Sequence, residues 1–242
     1  MSNGQAAAVT FARAGASVAC MDLDASAAEH VAQQITDEGG SALAIQADVT
    51  SESDIVKAYA EIAATWEPPT AVHNNVGVAM AGEITTLEPE EWNKGIAVNL
   101  TSCYSTIRHA LPAMLDRGKG AIVNVSSTAS IRDMGYVYPV YNATKAAVNQ
   151  LTVSLALTYA KRGIRVNAVL PGLIDTPIGR AFVSGRGDLD AQLSARHAAS
   201  PTGQMGSPWD IAHAAQFLLS DRAAYVNAVS LPVDGGLTAR CM

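Results

Sequence analysis

The chain has 242 residues, 49% of them hydrophobic and 16% charged, with a formal net charge of -6. That supports one sizeable core over 1–242, and the mild acidity without any basic run argues against a nucleic-acid partner. No apolar run approaches the roughly 18 residues of a membrane span, and no signal-peptide pattern opens the chain. Cys20, Cys103 and Cys241 show no C-x-x-C spacing, which argues against a metal site and for a reducing, cytoplasmic compartment.

In chain order, Gln5 to Ala14 has helical periodicity and stops at Gly15. Ser17 to Met21 reads as a strand closed by Asp22, and Ser26 to Glu38 as a helix stopped by Gly39-Gly40. Ala42 to Ala47 is the next strand, ending in Asp48-Val49-Thr50. A helix from Glu52 to Trp66 breaks at Pro68-Pro69. Thr70 to His73 is a short strand before Asn74-Asn75-Val76-Gly77. Glu88-Pro89-Glu90-Glu91 opens a long helix with acids in its first turn, running past Asn99 to about Leu115. Ala121 to Val125 reads as a buried strand, and Pro139 opens a helix to about Arg162. Ile164 to Leu170 is a strand ended by Pro171-Gly172. The pattern then loosens over 173–207, a glycine-punctuated stretch suited to cover a pocket. Pro208 to Leu219 and Val229 to Val233 close the series as helix and strand. Strict alternation predicts an α/β fold with a doubly wound parallel sheet and right-handed crossovers.

Chemistry concentrates between Ser126 and Lys145. Tyr141 and Lys145 lie four residues apart and so share a helix face. A fixed ammonium beside a phenol pulls its pKa toward neutrality, and Ser127, at the end of the preceding strand, reaches the same reacting oxygen. That trio suits proton transfer to or from an alcohol or carbonyl, although Tyr and Lys at this spacing are also common on ordinary helices. Ligands of such sheets bind beyond the carboxyl ends of the strands, where Asp22, Asp48, Asn74 and Pro171-Gly172 lie. Asp22 stands 18 residues after Gly4. It suits a ribose 2′-hydroxyl and would repel a 2′-phosphate, predicting NAD rather than NADP. An Asp after a strand is more often a helix cap or turn former, and Asn-Asn-Val-Gly is equally a turn. Tyr136, Tyr138, Phe182 and Met205 are candidate apolar walls. Arg180, Arg186 and Arg196 are candidate anion contacts or plain surface charge.

Taken together and in order, these motifs resemble the classical short-chain dehydrogenase/reductase family over essentially the whole chain. Asn74-Asn75-Val76-Gly77 resembles the family's Asn-Asn-Ala-Gly, and Val98-Asn99-Leu100 the segment carrying its helix asparagine. Val123-Asn124-Val125-Ser126-Ser127 and Tyr141-x-x-x-Lys145 resemble its active site. Pro171-Gly172 with Thr176 resembles its nicotinamide-side loop. Gly206-Ser207-Pro208 and Val233-Asp234-Gly235-Gly236 resemble its C-terminal signatures.

The resemblance implies a Rossmann-like domain and a catalytic set of Asn99, Ser127, Tyr141 and Lys145. Tyr141 would act as acid/base, Ser127 would polarise the substrate oxygen and Lys145 would bind ribose and lower the tyrosine pKa. Asn99 would hold a water that links Lys145 to solvent. It implies cofactor contacts at Gly4, Asp22, Asp48, Val49, Asn75, Gly77, Tyr141, Lys145, Pro171, Gly172, Ile174 and Thr176. It also implies a small alcohol or ketone substrate and a homotetramer or homodimer built on the long helices.

The chain departs from the family pattern in three places. Ser127 precedes Tyr141 by one residue more than usual. Ala228 stands where the family usually has Gly. Ser2-Asn3-Gly4 aligns with the end of the family's Thr-Gly-x-x-x-Gly-x-Gly, so the preceding strand and most of the Gly-rich turn are expected to be lacking. The leading expectation is an NAD-dependent oxidoreductase of secondary alcohols. Its alternative is a non-catalytic homologue, impaired in cofactor binding, that acts as an oligomer partner. An extended-branch nucleotide-sugar epimerase is disfavoured by the short substrate region.

Overall fold

The computed structural model describes residues 1–184 and 187–240; Gly185, Arg186 and Cys241 lie outside them. Helix α1 (Asn3–Arg13) leads to strand β1 (Ser17–Asp22), helix α2 (Ala25–Asp37), strand β2 (Ser41–Gln46) and helix α3 (Glu52–Thr65). Strand β3 (Ala71–Asn74) follows. Helix α4 (Pro89–Ile96) then runs through a π-turn (Ala97–Thr101) into α5 (Ser102–Arg117). Strand β4 (Gly120–Val125), helix α6 (Pro139–Tyr159) and strand β5 (Ile164–Pro171) come next. Helices α7 (Pro177–Ser184), α8 (Leu189–Ala199) and α9 (Pro208–Leu219) precede strand β6 (Ser230–Val233). The predicted elements sit within about three residues of these bounds, because the hydrophobic periodicity and the Gly and Pro punctuation that mark them are strong.

All strand pairs are parallel, as alternation requires, but they form two sheets. β1 pairs with β2, and β3-β4-β5-β6 form the other. The chain has a first strand of its own in β1. In place of one continuous doubly wound sheet, the structure shows a division between β1 and β3. Each presents an unpaired edge to a cavity of about 840 Å³ bordered by Val18, Cys20, Val72, Tyr59 and Ile62. His73, on the β3 edge, has its ring Nε2 buried with no hydrogen-bond partner.

Helices cover both faces. Ile107, Ala110 and Met114 of α5 and Ala156 of α6 pack on Val72, Ile122, Ile164 and Val166. On the other face Ile211, Ala215 and Leu218 of α9 meet Val123 and Val169. Ile122 and Val123 are successive residues of β4 that point to opposite layers, the period-2 alternation of a doubly covered strand. The two sheets are joined through α1, whose Ala6 and Ala7 pack on Ala212 of α9 while Val9 packs on Cys20 of β1. No described helix is long and apolar enough to cross a membrane.

Ala228, where the family usually has Gly, sits in a backbone conformation that suits glycine. Its φ is +62°, and it is the one non-glycine at positive φ among the described residues. The left-handed region sets Cβ against the following carbonyl oxygen, at a cost of roughly 1–2 kcal/mol. The position is held because Ala228 N–H donates to the Val166 carbonyl at 3.0 Å just before β6. Ala228→Gly is expected to stabilise the chain by about 1 kcal/mol, part of the relief being lost to the freer unfolded chain. Thermal unfolding should show a midpoint rise of about 2–4 °C; an unchanged or lower midpoint would mean the strain is absorbed elsewhere.

Candidate active site

The site forms where β4 ends and α6 passes over it. Lys145 is 2% exposed, and its Nζ donates to the carbonyl of Val125, the last residue of β4, at 2.9 Å. Ser126 Oγ donates to the backbone carbonyl of Lys145 at 3.0 Å. One lysine is thus tied to the strand end at its side chain and its backbone. Ser127 follows at once, and its Oγ accepts from Ala129 N–H at 3.1 Å, leaving the hydroxyl proton to donate. Tyr141, one turn before Lys145 on α6, brings its phenol beside the Ser127 hydroxyl, and the ammonium lies 5.8 Å from its ring centroid. The three residues picked from sequence are brought together.

The electrostatics differ from the sequence expectation. Burial pushes the Tyr141 phenol above its ordinary value, with only the neighbouring Ser127 hydroxyl opposing it. The same burial lowers Lys145, because a desolvated ammonium is disfavoured. In the chain by itself, desolvation outweighs the ammonium's pull on the phenol.

Asn99 is fully buried in the π-turn between α4 and α5. π-turns of this kind are found mostly at functional sites. Its Oδ1 accepts from Val78 N–H at 2.8 Å, and its Nδ2 donates to the Val78 carbonyl at 3.0 Å and to Thr144 Oγ1 at 3.2 Å. The side-chain amide therefore positions the loop after β3. Gly77 in that loop has to be glycine: a Cβ there would lie 2.9 Å from Lys145 Nζ and 3.2 Å from Asn99 Oδ1.

Apart from Gly4 on α1 and Tyr141 and Lys145 on α6, the cofactor-side candidates lie beyond the carboxyl ends of strands, but they are engaged unequally. Gly4 sits in the first turn of α1, where a Cβ would press to 2.7 Å from the Asn75 side chain. Ser2 caps α1 by accepting from Gln5 N–H. Asp22 is exposed and takes a single bond, from Asp24 N–H at 3.0 Å. Asp48 is used locally: it accepts from the N–H and hydroxyl of Thr50, which hold its carboxyl below the usual range. Val49 beside it borders the cavity. Gly172 approaches Asp234 so closely that a Cβ would stand 2.6 Å from that residue's Cβ. Ile174 is buried and bridges to Gly206, while Thr176 Oγ1 accepts from Gly179 N–H. Asp48 and Thr176 are thus turn and cap formers in this structure.

A buried polar relay escaped the sequence reading. Thr106 Oγ1 donates to Asn74 Oδ1 at 2.6 Å, Asn74 Nδ2 to Asn124 Oδ1 at 2.8 Å, and Asn124 Nδ2 to Thr152 Oγ1 at 2.9 Å. It runs from α5 across β3 and β4 to α6. Beside Tyr141 stands an aromatic wall: Tyr138 meets its ring edge-on at 5.3 Å and stacks on Tyr136 at 5.7 Å, and Phe182 meets Tyr136 at 5.2 Å. Of the walls expected, these three join the site; Met205 is buried, and its N–H donates to His197 Nδ1.

A half-buried tyrosine and a buried lysine with a serine at the phenol, beyond the ends of parallel strands, form the arrangement that the motifs implied. The family described as "Enoyl-(Acyl carrier protein) reductase" matches residues 1–238. The chain belongs to the short-chain dehydrogenase/reductase family, oxidoreductases that act on CH–OH groups with NAD(P) as acceptor. It is 42% identical over 229 residues to "Inactive 2-(S)-hydroxypropyl-CoM dehydrogenase 2" of Xanthobacter autotrophicus, covering 94% of this chain and 97% of that one. It is 35% identical to "Cyclohexanol dehydrogenase" of an Acinetobacter species, covering 98% of this chain and 91% of the other. A crystal structure titled as a short-chain dehydrogenase/reductase from Burkholderia xenovorans superposes with a TM-score of 0.95 at 36% identity. That match covers 100% of this chain and 92% of that one.

The raised phenol of this dehydrogenase gives a signed pH dependence. Taking a proton from an alcohol needs phenolate, which grows as pH rises toward the elevated pKa; giving a proton to a ketone needs phenol, which is then lost. Oxidation kcat/KM is expected to climb from pH 7 to 10, and reduction to hold and then fall at the alkaline end. Parallel profiles in the two directions would show that Tyr141 is not the titrating group.

Proposed function

We propose that the chain is an NAD-preferring dehydrogenase that interconverts a secondary alcohol and a ketone, with Tyr141 as acid/base. The observation that carries this reading is the convergence of Ser127, Tyr141 and Lys145 at the end of β4. Ser127 donates to the substrate oxygen, and Tyr141 takes or returns its proton. Lys145 holds a ribose hydroxyl and offsets charge that develops on the phenol. Asn99 fixes the loop of Gly77 against Lys145.

The glycine approaches at Gly77 and Gly172, and the singly bonded carboxylate of Asp22, fit a dinucleotide lying across the strand ends. Asp22 would take the adenosine ribose, with Asp48 and Val49 beside the adenine. Asn75, Gly77, Pro171, Gly172, Ile174 and Thr176 would line the nicotinamide half, and Gly4 would face the pyrophosphate. NAD held there supplies the hydride acceptor. The 173–207 segment covers the substrate end within a single domain, and reduced Cys20 and Cys103 suit the cytoplasm. Exposed Tyr104 on α5 and Leu157 on α6, with Ala143 and Ala146 exposed on α6, support a homodimer or homotetramer through these helices. A monomer in light scattering at micromolar concentration would contradict that.

The divided sheet favours a second reading. The edges of β1 and β3 face one cavity and all their neighbours run parallel, so one more parallel strand fits between them and would lead into α1. Without it, backbone groups along both edges lack partners, at on the order of 1–3 kcal/mol for each one buried. A sheet so divided would hold NAD weakly across its two halves.

Two measurements test these readings. In a panel of secondary alcohols, NADH formation should fall by roughly 100-fold or more in Tyr141→Phe. Asp22→Ala should narrow the preference for NAD over NADP. Activity that survives Tyr141→Phe, or a wild-type preference for NADP, would defeat the respective role. A version extended upstream of Met1 by a strand and Gly-rich turn, about a dozen residues, should melt higher and bind NADH more tightly. Equal values in the two forms would dismiss the added strand.

A further inference from the structure

We infer that Arg196 determines specificity at this site, and that the substrate is a secondary alcohol with an anionic group, such as a carboxylate, remote from its carbinol carbon. This rests on the dehydrogenase reading above.

Arg196 lies half-buried on α8, in the segment that covers the site. Its Nη1 donates to the Tyr136 hydroxyl at 3.3 Å. Tyr136 stacks on Tyr138, and Tyr138 meets Tyr141 edge-on. The guanidinium and the acid/base phenol therefore stand at opposite ends of one aromatic wall. Among the described residues Arg196 has no ion-pair partner. The acids whose fields meet it or its wall are committed elsewhere. Asp175 takes Arg180 with both oxygens, at 2.7 Å each. Asp133 is exposed and accepts from Gly135 N–H.

A guanidinium carries five donors in a planar fork, and one neutral phenol leaves most of them open. A partly desolvated fork at the rim of an apolar wall matches a carboxylate, whose two oxygens accept in parallel. The wall between asks for an apolar body, a ring or short chain, to connect the two ends. Arg180, neutralised by Asp175, does not offer the same site.

The test compares cis-4-hydroxycyclohexanecarboxylate with cyclohexanol in wild type, Arg196→Gln and Arg196→Lys, with melting temperature as the folding check. Binding of cyclohexanecarboxylate, which lacks the reacting hydroxyl, is measured by calorimetry on the same proteins. Arg196→Gln should lose roughly 10- to 100-fold in kcat/KM on the hydroxy acid, as for a lost charge-assisted hydrogen bond, and less than about 2-fold on cyclohexanol. Arg196→Lys should fall between, and cyclohexanecarboxylate binding should vanish in the Gln variant. Equal losses on both alcohols, or a wild type that prefers cyclohexanol, would overturn the inference. If wild type oxidises neither alcohol yet binds cyclohexanecarboxylate through Arg196, the anion site stands and the dehydrogenase reading fails. If it oxidises both and Arg196→Gln changes neither rate nor binding, the dehydrogenase reading stands and this one fails.

Discussion

The buried ammonium of Lys145 is the constraint on which the site depends. Taking an ammonium out of water costs several kcal/mol unless it is paired or hydrogen-bonded. Here the charge is placed against the Val125 carbonyl, while Ser126 holds the backbone of the same residue. These two bonds leave α6 little freedom to slide or turn against the end of β4. Ser127 is the next residue of that strand end, and Tyr141 is one turn back along that helix. Their meeting is therefore a consequence of how Lys145 is buried. Among the described residues no carboxylate pairs with it, so its field is not neutralised beside the phenol.

The polar relay has the complementary task of holding register. Asn74 and Asn124 are Cα partners in the β3–β4 pairing, and their side chains bond directly. A slip of one residue would send each to the opposite face. The relay's outer members, Thr106 and Thr152, anchor it to α5 and α6, so every side-chain group in it has a partner and the network stiffens the layer. Fixed register places Asn75 and Gly77 just beyond β3. There Asn99 holds Val78 and brings Gly77 against Lys145.

Much of this was legible in the sequence, and what was not has identifiable causes. The elements could be read because apolar periodicity and Gly/Pro breaks agree along the chain. The Tyr141–Lys145 pair could be read because four residues is one helical turn. The π-turn at Ala97–Thr101 leaves no mark, since one wider turn barely disturbs the periodicity of a long helix. Thr106 and Thr152 resemble any helix threonine until β3 and β4 bring their partners near. The positive φ at Ala228 is invisible because alanine does not announce it as glycine does. That Asp48 forms a turn with Thr50 and Thr176 a cap with Gly179 is likewise visible only in the structure. Direct chemistry predicted a lowered phenol at Tyr141, but burial, which no spacing rule reports, has the larger effect.

The division of the sheet bears unequally on the two halves of the site. Ser127, Tyr141, Lys145 and Asn99 stand on β4, α6 and the α4–α5 helix, all attached to the four-stranded sheet. Asp22, Asp48 and Val49 ride on the two-stranded one. Between the sheets no strand ladder runs. Their relation is set by α1, through Ala6 and Ala7 against Ala212, Arg13 over the Trp209 ring and Phe11 edge-on to His73. Such contacts between small residues and rings are individually weak and tolerate displacement more readily than a hydrogen-bonded ladder. The span between Asp22 and Tyr141 is therefore the softest dimension of the site, while the geometry around the phenol is held from three sides. A fault arising from the division should appear first as weak cofactor affinity with the catalytic cluster intact. A non-catalytic chain with a disordered cluster would show the reverse, so cofactor binding and turnover at saturating cofactor are the two quantities that separate the readings.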